Sequence, residues 1–294
     1  VAKMKIIENR KRFFALSLIL IMIGFAAMFY QASKGNGMLN WDVEFTGGTA
    51  MGIDMGEAFE HEKLKQIIFD VTGQNSPQIQ DIIGTNEVAV KLQSIDSQTR
   101  ADLGEALKAE FPSSVVKESE DVSGTVSSEM QKAAMKATLL ACVAMLIYIS
   151  IRFKDIRAGG SAIIALVHDV LIVIAAYAIF RIPVNNAFIA VILTVLGYSV
   201  NATIVIFDRI RENHDRFSPR ETAEKINKSI TQTLARSINT SVTTFFTVGA
   251  IYVIGVQSIK EFALPMMVGI IVGAYSSICI SGSVWYTLLP KREK

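Results

Sequence analysis

A chain of 294 residues that is 51% hydrophobic, with positive mean hydropathy, is too apolar for an ordinary soluble protein of its size. Its net charge of +2 excludes the overall electrostatic footprint of a nucleic-acid binder. Two cysteines, Cys142 and Cys279, lie in apolar runs, and the three histidines are scattered without metal-ligand spacing. No disulfide framework, metal site or cofactor is therefore expected.

In chain order, the first apolar run covers 13–31. It is long enough to cross a membrane and longer than the apolar part of a cleaved signal peptide, so it is expected to be a retained helix. Val1 is an unusual first residue and fits an alternative start codon or a trimmed N-terminus. Residues 32–132 have soluble character. Thr49 to Asp54 is expected as a strand, and Asp54 to Thr72 as a helix with Leu64, Ile67, Ile68 and Val71 at helical spacing. Ile79 to Ile83 and Glu87 to Leu92 read as strands around a turn at Gly84. Ser97 to Phe111 reads as a helix with Ser97 as its N-cap, and Ser114 to Glu118 as a last strand. The order βαββαβ predicts an α+β, ferredoxin-like domain. Five further apolar runs follow at about 134–151, 160–180, 187–207, 237–256 and 264–289, each near the ~20 residues that span a bilayer.

The expected fold class is thus an α-helical polytopic membrane protein of six transmembrane helices with one extracytoplasmic α+β domain. Its divisions are 1–31 (N-terminus and first span), 32–132 (outer domain) and 133–294 (five-helix region). Lys and Arg crowd 3–12, 152–157, 209–236 and 291–294, whereas the short loops of the opposite side hold only Arg181 and Lys260. Such a bias places both termini in the cytoplasm. The charged cytoplasmic segment 208–235 is expected either as an amphipathic helix from Pro219 onward or as a solvated connector.

Several polar groups interrupt the apolar runs. Thr46-Gly-Gly-Thr49 reads as a bend into the outer domain rather than a ligand loop. His168-Asp169 sits near the centre of the third span, either as a proton- or ion-responsive site or as a structural pair bonded to a neighbouring helix. Thr194, Tyr198, Asn201, Val205 and Asp208 trace one stripe of the fourth span, and lipid cannot satisfy such a stripe. Arg236 heads a second stripe with Asn239 or Thr240, Thr243 and Thr247. That stripe is expected to pack on the fourth span, with Arg236 pairing with Asp208 or reaching Asn201. The alternative is a positive-inside arginine followed by threonines bonded to their own helix. Gly269 to Gly273 forms a GxxxG packing face, and Pro265 is expected in the first turn of the last span. No nucleotide, haem or nucleophile signature supports an enzyme.

Four segments resemble one known family. They are Glu44 to Thr49, Ala165 to Val170, Leu196 to Asn213, and Ser258 to Pro265 continued through Gly273 to Ser277. Together they are similar to the SecF family, the smaller member of the SecD–SecF pair that assists bacterial protein export. The resemblance implies partnership with SecD, the SecYEG channel, the exported unfolded polypeptide and membrane lipid in the bacterial cytoplasmic membrane. It also implies a proton or sodium gradient as the driving force, and two six-helix halves of the resistance–nodulation–division type. Asn201 and Arg236 would then line the contact between halves. Asp169 would be a second ionisable candidate, with Tyr198 and Asp208 nearby. One position departs from the family pattern: Asn201 is followed by Ala202 where a carboxylate is usual. The coupling carboxylate would then come from SecD, or Asp169 would take a larger share, or coupling would be reduced. Two alternatives follow: a coupling-deficient scaffold, and a homodimeric small-molecule or lipid transporter of the same superfamily.

Overall fold

The computed structural model describes residues 4–35, 37–74, 77–82, 85–153, 155–255 and 257–290. Two compact units divide the chain. One comprises Trp41–Lys136 with Val184–Asn186, the other Val1–Asn40, Ala137–Pro183 and Ala187–Lys294. In order, the chain forms helix α1 (Arg10–Ser33), a two-residue strand β1 (Asn40–Trp41) and a single-turn helix α2 (Val43–Thr46). It continues through β2 (Gly48–Asp54), α3 (His61–Thr72), β3 (Gln78–Asp81), β4 (Glu87–Leu92), α4 (Ser97–Glu110) and β5 (Val115–Val122). Then come α5 (Gly124–Phe153), α6 (Ile156–Phe180), a short β6 (Pro183–Val184), α7 (Asn186–Glu212), α8 (Thr222–Ile254), α9 (Gln257–Tyr275), a π-helical turn (Ser276–Ser281) and α10 (Gly282–Leu288).

In the smaller unit, β3-β4-β2-β5 form a four-stranded sheet with every neighbouring pair antiparallel. Period-two burial puts Met51, Ile53, Val88, Val90 and Leu92 on one face. Leu64 and Ile68 of α3 and Leu103 and Leu107 of α4, each pair one helical turn apart, close the same core. Helix α3 begins at His61, later than its sequence suggests. The Asp54 carboxylate accepts the Gly56 N–H at 3.0 Å and Gly56 takes a left-handed φ of 71°, so a turn occupies the start of the expected helix. The N-cap of α4 is Asp96 rather than Ser97: its carboxylate accepts the Thr99 N–H at 2.7 Å, and Ser97 is the first helical residue. The β2–β5 register slips between Gly52 and Ile53, leaving Lys117 as the extra residue of a bulge. From there Lys117 reaches Asp54 at 2.9 Å and also pairs with Glu87. The turn expected at Gly84 lies outside the described residues. Asp42 caps α2 and pairs with Lys91, and Gly47 (φ 75°) and Gly48 (φ 143°) lead the chain into β2. A Cβ on Gly48 would collide with the Leu92 carbonyl oxygen.

Among the described residues, six helical stretches are long and apolar enough to cross a membrane: α1, most of α5, α6, α7, α8, and α9 continued through α10. The spans α6, α7 and α9–α10 are the most covered by the rest of the chain, whereas α1, α5 and α8 leave most of their surface open. Close approaches use small residues. Gly24 of α1 faces Ala175 of α6, Gly269 of α9 lies against Val195 of α7 with no room for a larger side chain, and Gly273 packs closely on Ser199. Pro265 stands inside α9 rather than in its first turn, because the helix starts at Gln257.

The charged segment after α7 forms two 3₁₀ turns, His214–Arg216 and Pro219–Glu221, the second closed by a Ser218–Glu221 capping box. From Thr222 the helix runs without a break for 33 residues through the expected fifth span. Its first turns are amphipathic. Ile226 and Ile230 pack with Ile206, Phe207 and Ile210 of α7 and with Ile6 and Ile7 of the N-terminal segment. Asn227 fixes that segment: its side-chain oxygen accepts the N–H groups of Ile6 and Ile7 at 3.1 Å each, and its amide donates to Glu8 at 2.9 Å.

Two outcomes follow. Gly269→Val should force α9 away from α7 and lower stability by about 1–3 kcal/mol, as overpacking of a close contact does; a reduced thermal midpoint in detergent checks it. Acid should also loosen the start of α4. The Thr99 N–H holds the Asp96 carboxyl below its ordinary value, so the cap contributes fully above the unfolded-state value and is lost as pH falls through the folded one. Faster exchange of the Thr99 amide in acid, absent in Asp96→Ala, is the readout.

Candidate functional site

Consecutive residues on an α-helix point about 100° apart. On α6 this sends His168 toward α1 and Asp169 toward α7 and the π-helical turn. Asp169 is fully buried. Its Oδ1 meets His168 Nδ1 at 2.9 Å, and its Oδ2 accepts the hydroxyls of Ser199 (2.5 Å) and Ser276 (2.7 Å). On the far side of the imidazole, His168 Nε2 lies 2.9 Å from Ser17 Oγ of α1. Ser17 Oγ in turn lies 3.3 Å from the Tyr275 hydroxyl, which donates to the Phe13 carbonyl at 2.9 Å. Three helical segments thus converge on one carboxylate, and α1 joins them through His168. A buried carboxylate without partners is strongly destabilising, and partners from separate segments make the cluster a fixed point of the packing.

The π-helical turn explains how the last span supplies its share. Six residues in i→i+5 geometry locally widen the helix, and such turns recur at functional sites. Ser276, Ser277 and Ser281 are fully buried there. Ser277 meets Thr203 at 3.0 Å and donates to the Ser199 carbonyl at 3.2 Å, tying the turn to α7 beside the carboxylate.

A second feature lies beside the cluster on α7. Tyr198, Asn201 and Ala202 line a cavity of about 280 Å³ together with Arg236 and Thr240 of α8 and the Gly269–Gly273 face of α9. Tyr198, Asn201 and Arg236 are exposed on the surface of this chain. The structure therefore brings three of the five candidate residues to one cavity, with Ala202 among them. Ser199 lines the same cavity while its hydroxyl bonds Asp169, so the buried cluster and the cavity share a wall.

Asp208 belongs to neither. It pairs with Arg152 of α5 at 2.6 Å and with Arg211 on its own helix at 3.4 Å. The expected Arg236–Asp208 pair is absent because of register. Helices α7 and α8 run antiparallel with Asn213 beside Ser229 and Arg209 beside Gln232, which sets Arg236 near the level of Val205, a turn away from Asp208. The expected packing of the whole α8 stripe on α7 is also not found. Thr240, Thr243 and Thr247 donate to the carbonyls of Arg236, Asn239 and Thr243 on their own helix at 2.9–3.0 Å. Asn239, Thr243 and Thr247 are exposed, so only the Arg236–Thr240 end meets α7, at the cavity. Sequence reasoning missed Ser17, Ser199 and Ser276; the one signal for them was that small hydroxyl residues recur in otherwise apolar helices.

Chemically, a carboxylate with an imidazole on one oxygen and two hydroxyls on the other can hold a proton or a small hard cation. Among the described residues no group of three or more His, Cys, Asp or Glu side chains converges, and Cys142 and Cys279 are free thiols.

Comparison with known proteins places this geometry. Residues 102–291 match the family model for the C-terminal region of the protein export membrane proteins SecD and SecF. The chain is 33% identical to the protein translocase subunit SecF of Sebaldella termitidis, over 99% of this chain and 95% of that protein. It is 37% identical to SecF of Calditerrivibrio nitroreducens, over 97% and 93%. The crystal structure of SecDF from Thermus thermophilus, a translocon-associated membrane protein, superposes with a TM-score of 0.86 at 31% identity over 97% of this chain. SecDF in a super-membrane-facing form gives 0.69. The chain spans 38% of the length of the first of these solved structures. Family model, near-full-length identity and fold agree: the chain belongs to the SecF family of protein-export membrane proteins.

Proposed function

We propose that this chain is the six-helix SecF half of a non-enzymatic accessory complex of the Sec translocase in the bacterial cytoplasmic membrane. It pairs with a SecD half and assists ion-gradient-driven movement and release of exported, unfolded polypeptide delivered by the SecYEG channel. Both termini lie in the cytoplasm, as the Lys and Arg distribution supports. The unit around residues 41–136 lies on the outer side. Its βαββαβ order and sheet order β3-β4-β2-β5 support a ferredoxin-like reading.

One observation carries the proposal. Tyr198, Asn201 and Arg236 surround a polar cavity that opens on the chain's own surface, on helices of membrane-spanning length. Lipid offers no hydrogen-bond partner to the exposed Asn201 amide or the Arg236 guanidinium, so this face is built to meet protein or water. A second half of the same type covers it. The polar cavity is then the seam of the complex, where an ion can be handled between halves.

Export of a secretory precursor into inverted vesicles containing this chain, its SecD, SecYEG and the ATP-driven motor tests the proposal, with and without an imposed gradient. Gradient-stimulated export should fall on the order of tenfold, equivalent to about 1.4 kcal/mol, in Arg236→Leu, with export under a collapsed gradient unchanged. Ala202→Asp places a carboxylate in the cavity with Arg236 and should increase the response to the gradient. Gradient-independent export by the parent chain, with no gain from Ala202→Asp, would identify a scaffold without coupling.

A further inference from the structure

The donors and acceptors around His168 can be assigned by counting hydrogens. Tyr275 spends its single hydroxyl hydrogen on the Phe13 carbonyl. Ser17 also has one hydrogen and two neighbours, His168 Nε2 and the Tyr275 oxygen. If the imidazole is neutral with its hydrogen on Nδ1, toward Asp169, then Ser17 must donate to Nε2 and the Ser17–Tyr275 contact has no hydrogen. If both ring nitrogens are protonated, Nδ1–H donates to Asp169, Nε2–H donates to Ser17, and Ser17 donates to Tyr275. Every contact is then a hydrogen bond.

From this geometry we infer that His168 and Asp169 form a one-proton binding site, separate from the Tyr198–Asn201–Arg236 cavity but mechanically joined to it. The inference deepens the coupling reading above and rests on it for its purpose, not for its chemistry. In the loaded state an imidazolium faces a carboxylate and the pair is neutral. On release, one proton leaves Nε2, the Ser17 hydroxyl turns to that nitrogen, and the pair carries one negative charge. That charge sits on the carboxylate whose Oδ2 holds Ser199 of α7 and Ser276 of the π-helical turn. Release therefore strengthens the pull of α6 on both, and Ser199 carries the change into the cavity wall. The other groups meeting the pair are Ser17 from α1, Ser199 from α7, Tyr275 from the end of α9 and Ser276 from the turn, with Cys279 beside Tyr275. None of these side chains is cationic.

Infrared difference spectra between acid and neutral buffers, recorded on the complex of this chain with its SecD in lipid vesicles, test the inference. His61 and His214 are present in every sample, so the variants isolate His168. The parent should show one imidazole titration that is absent in His168→Gln. In Asp169→Asn it should be lost from the accessible range, because the imidazolium then lacks its counter-charge. Ser17→Ala removes only one hydroxyl; it should keep the titration with proton affinity lowered about tenfold, or about one pH unit. A parent spectrum identical to that of His168→Gln would overturn the inference, as would an unchanged midpoint in both Asp169→Asn and Ser17→Ala. The export assay separates the two readings. Gradient-independent export with an intact His168 titration removes the coupling reading and leaves the proton site. Gradient-dependent export without that titration removes the proton site alone.

Discussion

A carboxylate placed where lipid and apolar side chains surround it must be answered by hydrogen-bond donors from within the protein, since no solvent is there to do so. Asp169 is that group, and much of the membrane unit is arranged around meeting its demand. Donors come from α6 itself, from α7 and from the last span. The donors from α7 and the last span have to be short and close, which explains the choice of serine and the thin contact surfaces nearby. Gly273 lies against Ser199, and Gly269 has no room for a side chain where α9 crosses α7. The helical widening at Ser276–Ser281 lets consecutive serines face the interior. Replacing any one donor would weaken the hydrogen bonding of a carboxylate in a region of low polarity, so these residues work as a unit.

The same constraint divides the membrane unit into two kinds of surface. Around Asp169 polar groups are enclosed and paired. At Tyr198, Asn201 and Arg236 they stand open on the surface of α7 and α8. The threonines of α8 are handled in a third way: they return their hydroxyls to their own backbone and so can sit on an exposed face at little cost. Asn201 and Arg236, whose larger polar heads cannot be hidden in this manner, create a requirement for something beyond the chain.

Much of this was legible in the sequence. Hydropathy located the six long helices, and the pairs Leu64/Ile68 and Val88/Val90 displayed the periods of a helix and a strand. The stripe through Tyr198 and Asn201 pointed to a shared polar face, and Arg236 was identified with it. What stayed hidden depends on register and on partners distant along the chain. Arg152 claims Asp208 from 56 residues away, and no spacing rule announces that pair. The continuity of α8 was obscured because Lys225, Lys228 and Arg236 lower its hydropathy while leaving its helical periodicity intact. Serine serves equally well as a filler and as a ligand in an apolar helix, so Ser17, Ser199 and Ser276 acquired meaning only when the carboxylate they serve was placed beside them.

Helix α8 is also a stiff rod. At ~1.5 Å per residue, its 33 residues extend about 50 Å, well beyond the thickness of a bilayer's hydrocarbon core. No glycine or proline occurs between Thr222 and Val248 to let it bend. Asn227 grips the N-terminal segment near one end, and Arg236 stands two and a half turns further on. A twist applied where Asn227 is held must therefore reach Arg236 as the same rotation, and a shift along the axis must reach it undiminished. The segment at Ile6–Glu8 and the rim of the polar cavity are thus geared to one shaft.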